Sequence, residues 1–133
     1  MITFTIPGVP VPKGRARIAT RGKFAHAYTP AKTREAEATL AARAMAFRPR
    51  QPLSGPLEVI VVFRMPVPES WSKKKREAAR FHTSKPDLDN LVKLLKDSLN
   101  GLFWIDDRQI YSLTATKVYD SIPATQVTIA ERT

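Results

Sequence analysis

The stretch from Leu57 to Met65 constrains the fold more than any other part of this 133-residue chain. It reads Leu-Glu-Val-Ile-Val-Val-Phe-Arg-Met, so it is rich in β-branched residues and almost entirely apolar. Such a run is typical of a strand that is covered by other elements rather than exposed. Pro66 and Pro68 end the run, because proline cannot continue a central strand. We therefore predict a central strand here, covered on both faces or nearly so.

Other segments carry weaker signals of secondary structure. Ile2, Phe4 and Ile6 alternate with threonines, which predicts a half-buried strand. Good helix formers predict a helix over 31–47, and a cap at Ser70 or Ser72 predicts a short exposed helix reaching Phe81. Apolar residues at helical spacing follow Asp87 and stop at Asn100-Gly101, whereas 109–119 and 124–130 alternate as strands do. Residues 8–30 have no such period and are predicted to form a basic loop.

The order of these elements is β, α, β, α, α, β, β. Helices grouped between strands, with the last two strands as a terminal hairpin, favour an α/β (α+β) fold. We expect a two-layer sandwich with a mixed sheet of about four strands and helices on one face. The length fits a single domain over residues 1–133.

The charge of the chain indicates its kind of partner. Twenty-two Lys and Arg residues against twelve acids give a net charge of +10, which favours a phosphate-rich partner. Nucleic acid is preferred to a membrane, since the longest apolar run is far shorter than a bilayer span. The start of the chain lacks a secretory signal pattern, so we expect a cytoplasmic protein. The expected DNA contacts are Lys13, Arg15, Arg17, Arg21 and Lys23 in the loop, then Lys73, Lys74, Lys75, Arg76 and Lys85.

The aspartates, by contrast, are concentrated in one window. All six aspartates follow position 86, and five of them fall within 21 residues: Asp87, Asp89, Asp97, Asp106 and Asp107. Such crowded carboxylates repel one another unless they are solvated or neutralised by a cation. Without cysteine, oxygen atoms are the main available ligands, and they suit Mg²⁺ or Mn²⁺.

The spacing of these acids suggests how they share an ion. Asp87 and Asp89 point to the same side of an extended backbone, and Lys93 follows Asp89 by one helical turn. A short return after Gly101 could bring a third carboxylate back to the helix start. The plainer alternative is that Asp87 or Asp89 caps the helix and that Asp106-Asp107 forms a turn.

Three motifs in order resemble the RusA family of Holliday-junction resolvases. They are Lys85-Pro-Asp-Leu-Asp-Asn-Leu-Val-Lys93, Asp97-Ser-Leu-Asn-Gly101 and Trp104-Ile-Asp-Asp-Arg-Gln-Ile110. Val9-Pro-Val-Pro-Lys-Gly-Arg15 and Tyr28-Thr-Pro30 are similar to the start of phage-type members. The resemblance implies a homodimeric, Mg²⁺-dependent endodeoxyribonuclease that cuts four-way junctions by paired nicks, without an organic cofactor. It also implies that Asp87, Asp89 and Asp107 bind metal, that Lys93 is catalytic, and that Asp106, Asp97 and Asn90 support them.

Other interpretations of the same features stay open at this point. A non-catalytic basic module would bind nucleic acid with steep salt dependence and without cleavage. A nuclease of broader scope would cut other branched DNA as well. The lysines from position 73 could form a solvated helix face, and Phe103 and Trp104 are expected to anchor the core rather than stack on bases. The dimer surface is sought around Val59 to Phe63 and the sheet edges.

Overall fold

A computed structural model describes residues 1–14, 17–22, 24–28 and 30–133. The strands are β1 (Ile2–Pro7), β2 (Arg17–Arg21), β3 (Phe24–Tyr28), β4 (Leu57–Pro66), β5 (Ile110–Asp120) and β6 (Ala124–Glu131). The α-helices are α1 (Ala31–Ala44), α2 (Lys73–Ala78) and α3 (Leu88–Leu99), and short 3-10 helices cover Met45–Phe47 and Asp107–Gln109. The helices and the three longest predicted strands therefore lie close to their expected positions.

Four strands form one mixed sheet in the order β1-β6-β4-β5. β4 lies in its interior, antiparallel to β6 and parallel to β5, which confirms the predicted central strand and mixed sheet. The predicted terminal hairpin is wrong, because β5 and β6 lie on opposite sides of β4. Asp120 pairs with Pro66 and Ala124 pairs with Arg64, so three connecting residues step across the end of β4. Alternation within each strand does not reveal that crossing.

Among the described residues, helices cover one face of the sheet and leave the other open. Along β4, the side chains of Leu57, Val59, Val61, Phe63 and Met65 are buried, and those between them are not. Ile60 is 41% exposed, so the expectation that both faces are covered is wrong. The sequence run is apolar at nearly every position, and only the number of packed layers decides which face is open. The two-layer α/β sandwich is confirmed.

The helices α1 and α3 pack together over the covered face. α3 is clearly amphipathic and buries Leu91, Leu94, Leu95 and Leu99 in the core. Phe103 and Trp104 follow it at 0% and 1% exposure, which confirms their role as core anchors. Of the helices within the described ranges, none combines the length and apolar character needed to cross a lipid bilayer.

The segment predicted as a basic loop contains a β-hairpin that the sequence interpretation missed. β2 and β3 pair antiparallel, from Arg17 with Tyr28 to Arg21 with Phe24, and form a separate two-stranded sheet. Gly22 in the turn has φ +66°, a left-handed conformation that glycine adopts without strain. A lone glycine between short alternating segments was the available signal.

Candidate active site

The acidic window begins where α3 begins. Asp87 occupies the N-cap position with an extended backbone, but its side chain makes no capping hydrogen bond. Asp89 lies in the first turn, and both residues are exposed. The simple capping interpretation of Asp87 therefore lacks its hydrogen bond. Two exposed carboxylates near the positive end of a helix dipole are available for a ligand.

A lysine from the sheet fixes the chain just before these carboxylates. The Lys117 ammonium on β5 donates to the carbonyl oxygens of Ser84 at 2.7 Å and Pro86 at 2.6 Å. Charge-assisted hydrogen bonds of this kind are stronger than neutral ones. Lys117 therefore anchors the approach to Asp87, a role that the sequence interpretation missed. The available signal was a lysine in an otherwise uncharged part of a strand pattern.

The exposed residues of α3 beyond Asp89 differ in whether they form an ion pair. Lys93 is exposed one turn after Asp89, as its spacing predicted. Asp97, one turn further, forms an ion pair and hydrogen bond with Lys13. This hydrogen bond raises the pKa of Lys13, opposed by some desolvation, and Glu37 lies 3.6 Å from the same ammonium. Lys13 was predicted to contact DNA, and Asp97 was predicted to support the site. In this structure the two side chains form an ion pair that neutralises both charges.

The loop that carries Lys13 is also attached through its backbone. The backbone N–H of Lys13 donates to the carbonyl oxygen of Asn90 at 2.9 Å. Asn90 was predicted as a supporting residue, and in this structure its backbone holds the N-terminal loop against α3. Residues 84–86, held by Lys117, and the loop at Lys13 are thus both attached near the beginning of α3, which limits the movement of Asp87 and Asp89.

The second acidic pair lies beyond the other end of α3. The Trp104 indole N–H donates to Asp107 Oδ1 at 2.7 Å, so a buried ring orients this carboxylate. Asp106 Oδ1 accepts from the N–H of Arg108, while Gln109 Oε1 accepts from the N–H of Asp106, forming a capping box. Gln109 also donates to the carbonyl oxygens of Leu53 and Gly55. Asp106 thus stabilises the turn that presents Asp107.

The two acidic groups do not meet within one chain. α3 has 12 residues, which at 1.5 Å per residue separates its ends by about 18 Å. Trp104 pairs with Asn100 at the helix C-terminus, and Asp107 follows there. Within the described ranges, no three His, Asp or Glu side chains are grouped closely enough to hold a metal ion. The expectation that the turn at Gly101 returns a third carboxylate to the helix start is therefore wrong.

Comparison with known proteins identifies the family. The profile of the family described as Endodeoxyribonuclease RusA matches residues 7–130. The chain belongs to the RusA family. It is 39% identical to the uncharacterized protein YqaN of Bacillus subtilis (strain 168), covering 98% of this chain and 96% of that protein. It is 38% identical to a crossover junction endodeoxyribonuclease rusA of Lactococcus phage r1t, over 57% of this chain and 55% of that protein.

Membership in the RusA family establishes the class of activity. This protein is an endodeoxyribonuclease, and the family implies action on Holliday junctions. Nucleases of the family are generally metal-dependent. The non-catalytic binding module is therefore set aside, and Asp87, Asp89, Lys93 and Asp107 become the candidate catalytic residues of a nuclease.

Basic residues of this RusA-family chain are distributed unevenly around the site. α2 is exposed and capped by Ser72, whose side chain accepts from the N–H of Lys75, so the predicted short helix is confirmed. The exposed set is Lys73, Lys74, Lys75, Arg76 and, nearer to the carboxylates, Lys85. The Lys75 ammonium lies 4.2 Å from the Trp71 ring centroid. Arg17 and Arg21 begin and end β2, and the predicted contacts Arg15 and Lys23 lie outside the described residues.

Proposed function

We propose that this protein resolves four-way DNA junctions by paired symmetric nicks in a Mg²⁺-dependent reaction, acting on cytoplasmic DNA in recombination and repair. The observation that carries this proposal is the arrangement at the start of α3. Two exposed carboxylates lie there, Asp87 makes no capping hydrogen bond to the helix, and an exposed lysine follows Asp89 by one turn. Family membership supplies the reaction class. The whole chain acts as one nuclease domain.

The donors at the proposed site suit a hard divalent cation. Asp87 and Asp89 offer carboxylate oxygens, and Asp107 offers a third carboxylate oriented by Trp104. Such ligands favour Mg²⁺, with Mn²⁺ as a substitute, over metals that prefer sulfur or nitrogen. A bound ion of this kind activates water and neutralises charge on a phosphodiester. The positively charged ammonium group of Lys93 lies beside the scissile phosphate and stabilises negative charge that develops there.

We propose that two copies of the chain complete each site. The separation of Asp107 from Asp87 and Asp89 within one chain supports this arrangement. A two-fold axis would bring Asp107 of one copy towards the helix start of the other. A homodimer also supplies the two opposed sites that paired nicks require.

The edge strand β5 is the surface best suited to that contact. Its outer edge is bridged by Phe81 at Val118, while the earlier part has no strand neighbour among the described residues. Leu113, Tyr111 and the preceding Ile105 are 41%, 59% and 60% exposed. Antiparallel pairing of β5 with its counterpart would set the start of one strand beside the end of the other, where Lys117 holds Pro86.

The surface around Val59 to Phe63 is less suited to dimerisation than predicted. Val59, Val61 and Phe63 belong to the core and are at most 2% exposed, so they are not available to a partner. Only the intervening side chains face the open side of the sheet. The sheet edge, which was the other predicted candidate, is therefore retained.

Cleavage of synthetic DNA tests the function directly. A labelled four-way junction, a three-way junction, a single-stranded flap and linear duplex are incubated with the protein and Mg²⁺, Mn²⁺ or EDTA. We expect symmetric nicks in the four-way junction with either metal and none with EDTA. Asp89→Asn should abolish them, whereas Asp120→Asn, which changes the one aspartate outside the acidic window, should cleave normally.

The other outcomes have distinct meanings. Equal cutting of all branched substrates would replace junction resolution with a broader branched-DNA nuclease. Cleavage that persists in EDTA would contradict the metal requirement. Full activity in Asp89→Asn would remove the start of α3 from the site, even if the junction is cut.

A further inference from the structure

A second group of ring side chains lies close to the acidic helix start. The Tyr119 ring centroid on β5 lies 5.1 Å from that of Trp71 and 4.8 Å from that of His82. Both pairs are tilted by more than 50° and are in direct contact, so the three rings form one continuous wall rather than a stack. Trp71 and Tyr119 are half-buried, which leaves part of each ring accessible.

These rings line a surface cavity of about 480 Å³. Pro10, Pro12 and Pro86 form other parts of its wall, and Lys85 is the charged residue that lines it. The cavity is within the range of roughly 300–1,000 Å³ that is typical of small-ligand sites. Rigid aromatic and proline walls without a carboxylate suit a flat, weakly polar group attached to an anion.

Cations lie on the segment that carries Trp71. Lys75 lies over the Trp71 ring at 4.2 Å, and Arg76 Nε donates to the Trp71 carbonyl oxygen at 3.1 Å. Arg80 follows on the same segment and is exposed. Positive charge beside an aromatic wall is the combination that binds nucleotides, since the base stacks while the phosphate contacts the cation.

His82 adds a polar group without a partner at the cavity. The side chain is 9% exposed, and its Nδ1 atom has no hydrogen-bond partner among the described residues. That atom is itself enclosed, so the His82 ring serves as part of the cavity wall rather than as a hydrogen-bonding contact for a ligand. The His82 backbone N–H donates to the Lys117 carbonyl oxygen at 3.1 Å, which fixes the residue against β5.

The cavity and the proposed catalytic carboxylates share one anchored segment. Ser84, Lys85 and Pro86 line the cavity, and Asp87 is the next residue. Lys117 holds the Ser84 and Pro86 carbonyl oxygens from β5, whose Tyr119 carries one of the rings. A nucleotide bound in the cavity would therefore have a fixed position relative to the scissile phosphate.

We propose that the cavity lined by Trp71, Tyr119 and His82 receives one unstacked base of the DNA strand that is cut, and thereby selects the cleavage site. The base stacks on the accessible part of the Trp71 ring, and Tyr119 and His82 form the adjoining wall. This inference rests on the proposed nuclease function. It adds a residue-level basis for choosing among phosphodiesters at a branch point, where bases are more easily unstacked than in a duplex.

Abasic substitution in the junction tests the cavity. A series of six four-way junctions is prepared, each with a single abasic nucleotide at one of the three positions on either side of the cut. Wild type, Trp71→Ala and Trp71→Phe are each assayed on every junction. Ile122→Ala is the control, because Ile122 is 72% exposed and does not line the cavity. Thermal denaturation of each variant verifies that it is folded.

We expect kcat/KM of Trp71→Ala on the intact junction to fall by roughly 10- to 100-fold, with Trp71→Phe and Ile122→Ala near wild type. At one position, the abasic nucleotide should reduce wild-type cleavage by a similar factor but leave Trp71→Ala unchanged, because the stacking partner is already absent. Equal losses in both proteins at every position would overturn the base-binding cavity, since Trp71 would then act only on the fold. If the wild type fails to cut any junction, the nuclease proposal itself fails, which is a separate result.

Discussion

Two inactive variants of the acidic residues should restore cleavage when they are mixed. Asp89→Asn removes one carboxylate at the start of α3, and Asp107→Asn removes the carboxylate held by Trp104 beyond its other end. If each site takes Asp89 from one copy and Asp107 from the other, a mixed dimer contains one site with both substitutions and one with neither. The intact site should cut DNA.

The size of the effect follows from the geometry. Random exchange of subunits at equal concentrations puts about half of the protein in mixed dimers, so about a quarter of all sites are intact. Cleavage should therefore return to roughly a quarter of the wild-type rate from a background near zero. Mixed dimers should nick one strand only, so nicked product accumulates rather than resolved duplexes.

The assay mixes the two variants under conditions that allow subunit exchange and follows a labelled four-way junction with Mg²⁺. Mixing Asp89→Asn with Asp87→Asn is the control, because both changes lie at the same end of α3 and no mixed dimer has an intact site. A site built within one chain predicts no recovery in either mixture. Absent recovery in the first mixture, with subunit exchange demonstrated by differently tagged copies, would refute the shared site.

Three further predictions concern positioning, pH and binding. Lys117→Met removes the ammonium that donates to the Ser84 and Pro86 carbonyl oxygens, so the free energy of unfolding should fall by about 2 kcal/mol. The value of kcat should fall as well, because Asp87 is then less firmly positioned. Calorimetry and cleavage assays measure both effects, with Lys32→Met as an exposed control. Burial, with a smaller effect of Lys117, lowers the pKa of His82 below 6.5. Stability from this group is complete above pH 6.5 and declines as pH falls towards the folded pKa, which denaturant titrations should detect in wild type but not in His82→Gln. Replacing Lys73 and Lys74 by Ala should reduce the salt slope of junction binding by about two, whereas an unchanged slope would exclude both from phosphate contact.

Several features of the site were accessible from local sequence. The apolar period after Asp87 predicted α3 and therefore the exposed positions of Asp89 and Lys93 on one side of it. Phe103 and Trp104 were correctly assigned to the core. These predictions succeeded because they depend on neighbours within one or two helical turns, where spacing alone fixes direction.

Features that depend on pairing between distant segments were not accessible. The ion pair of Lys13 with Asp97 joins residues 84 positions apart, so local spacing does not reveal that the predicted DNA contact and the predicted supporting acid are partners. Lys117 reaches Pro86 across 31 positions. The open face of β4 and the crossing of β6 over β4 likewise depend on which elements pack, and an apolar run alone does not specify that.

The sequence by itself determined the residue types and their local order: two aspartates at a helix start, a lysine one turn later, and an acidic pair after an aromatic anchor. Tertiary structure decided that those two acidic groups stay beyond opposite ends of α3, a rigid rod about 18 Å long. A helix keeps neighbouring residues together and its ends apart, whatever the spacing of motifs along the chain suggests. The same packing brought Trp71, Tyr119 and His82 around one cavity, because β5 and the chain before α3 meet beside Lys117.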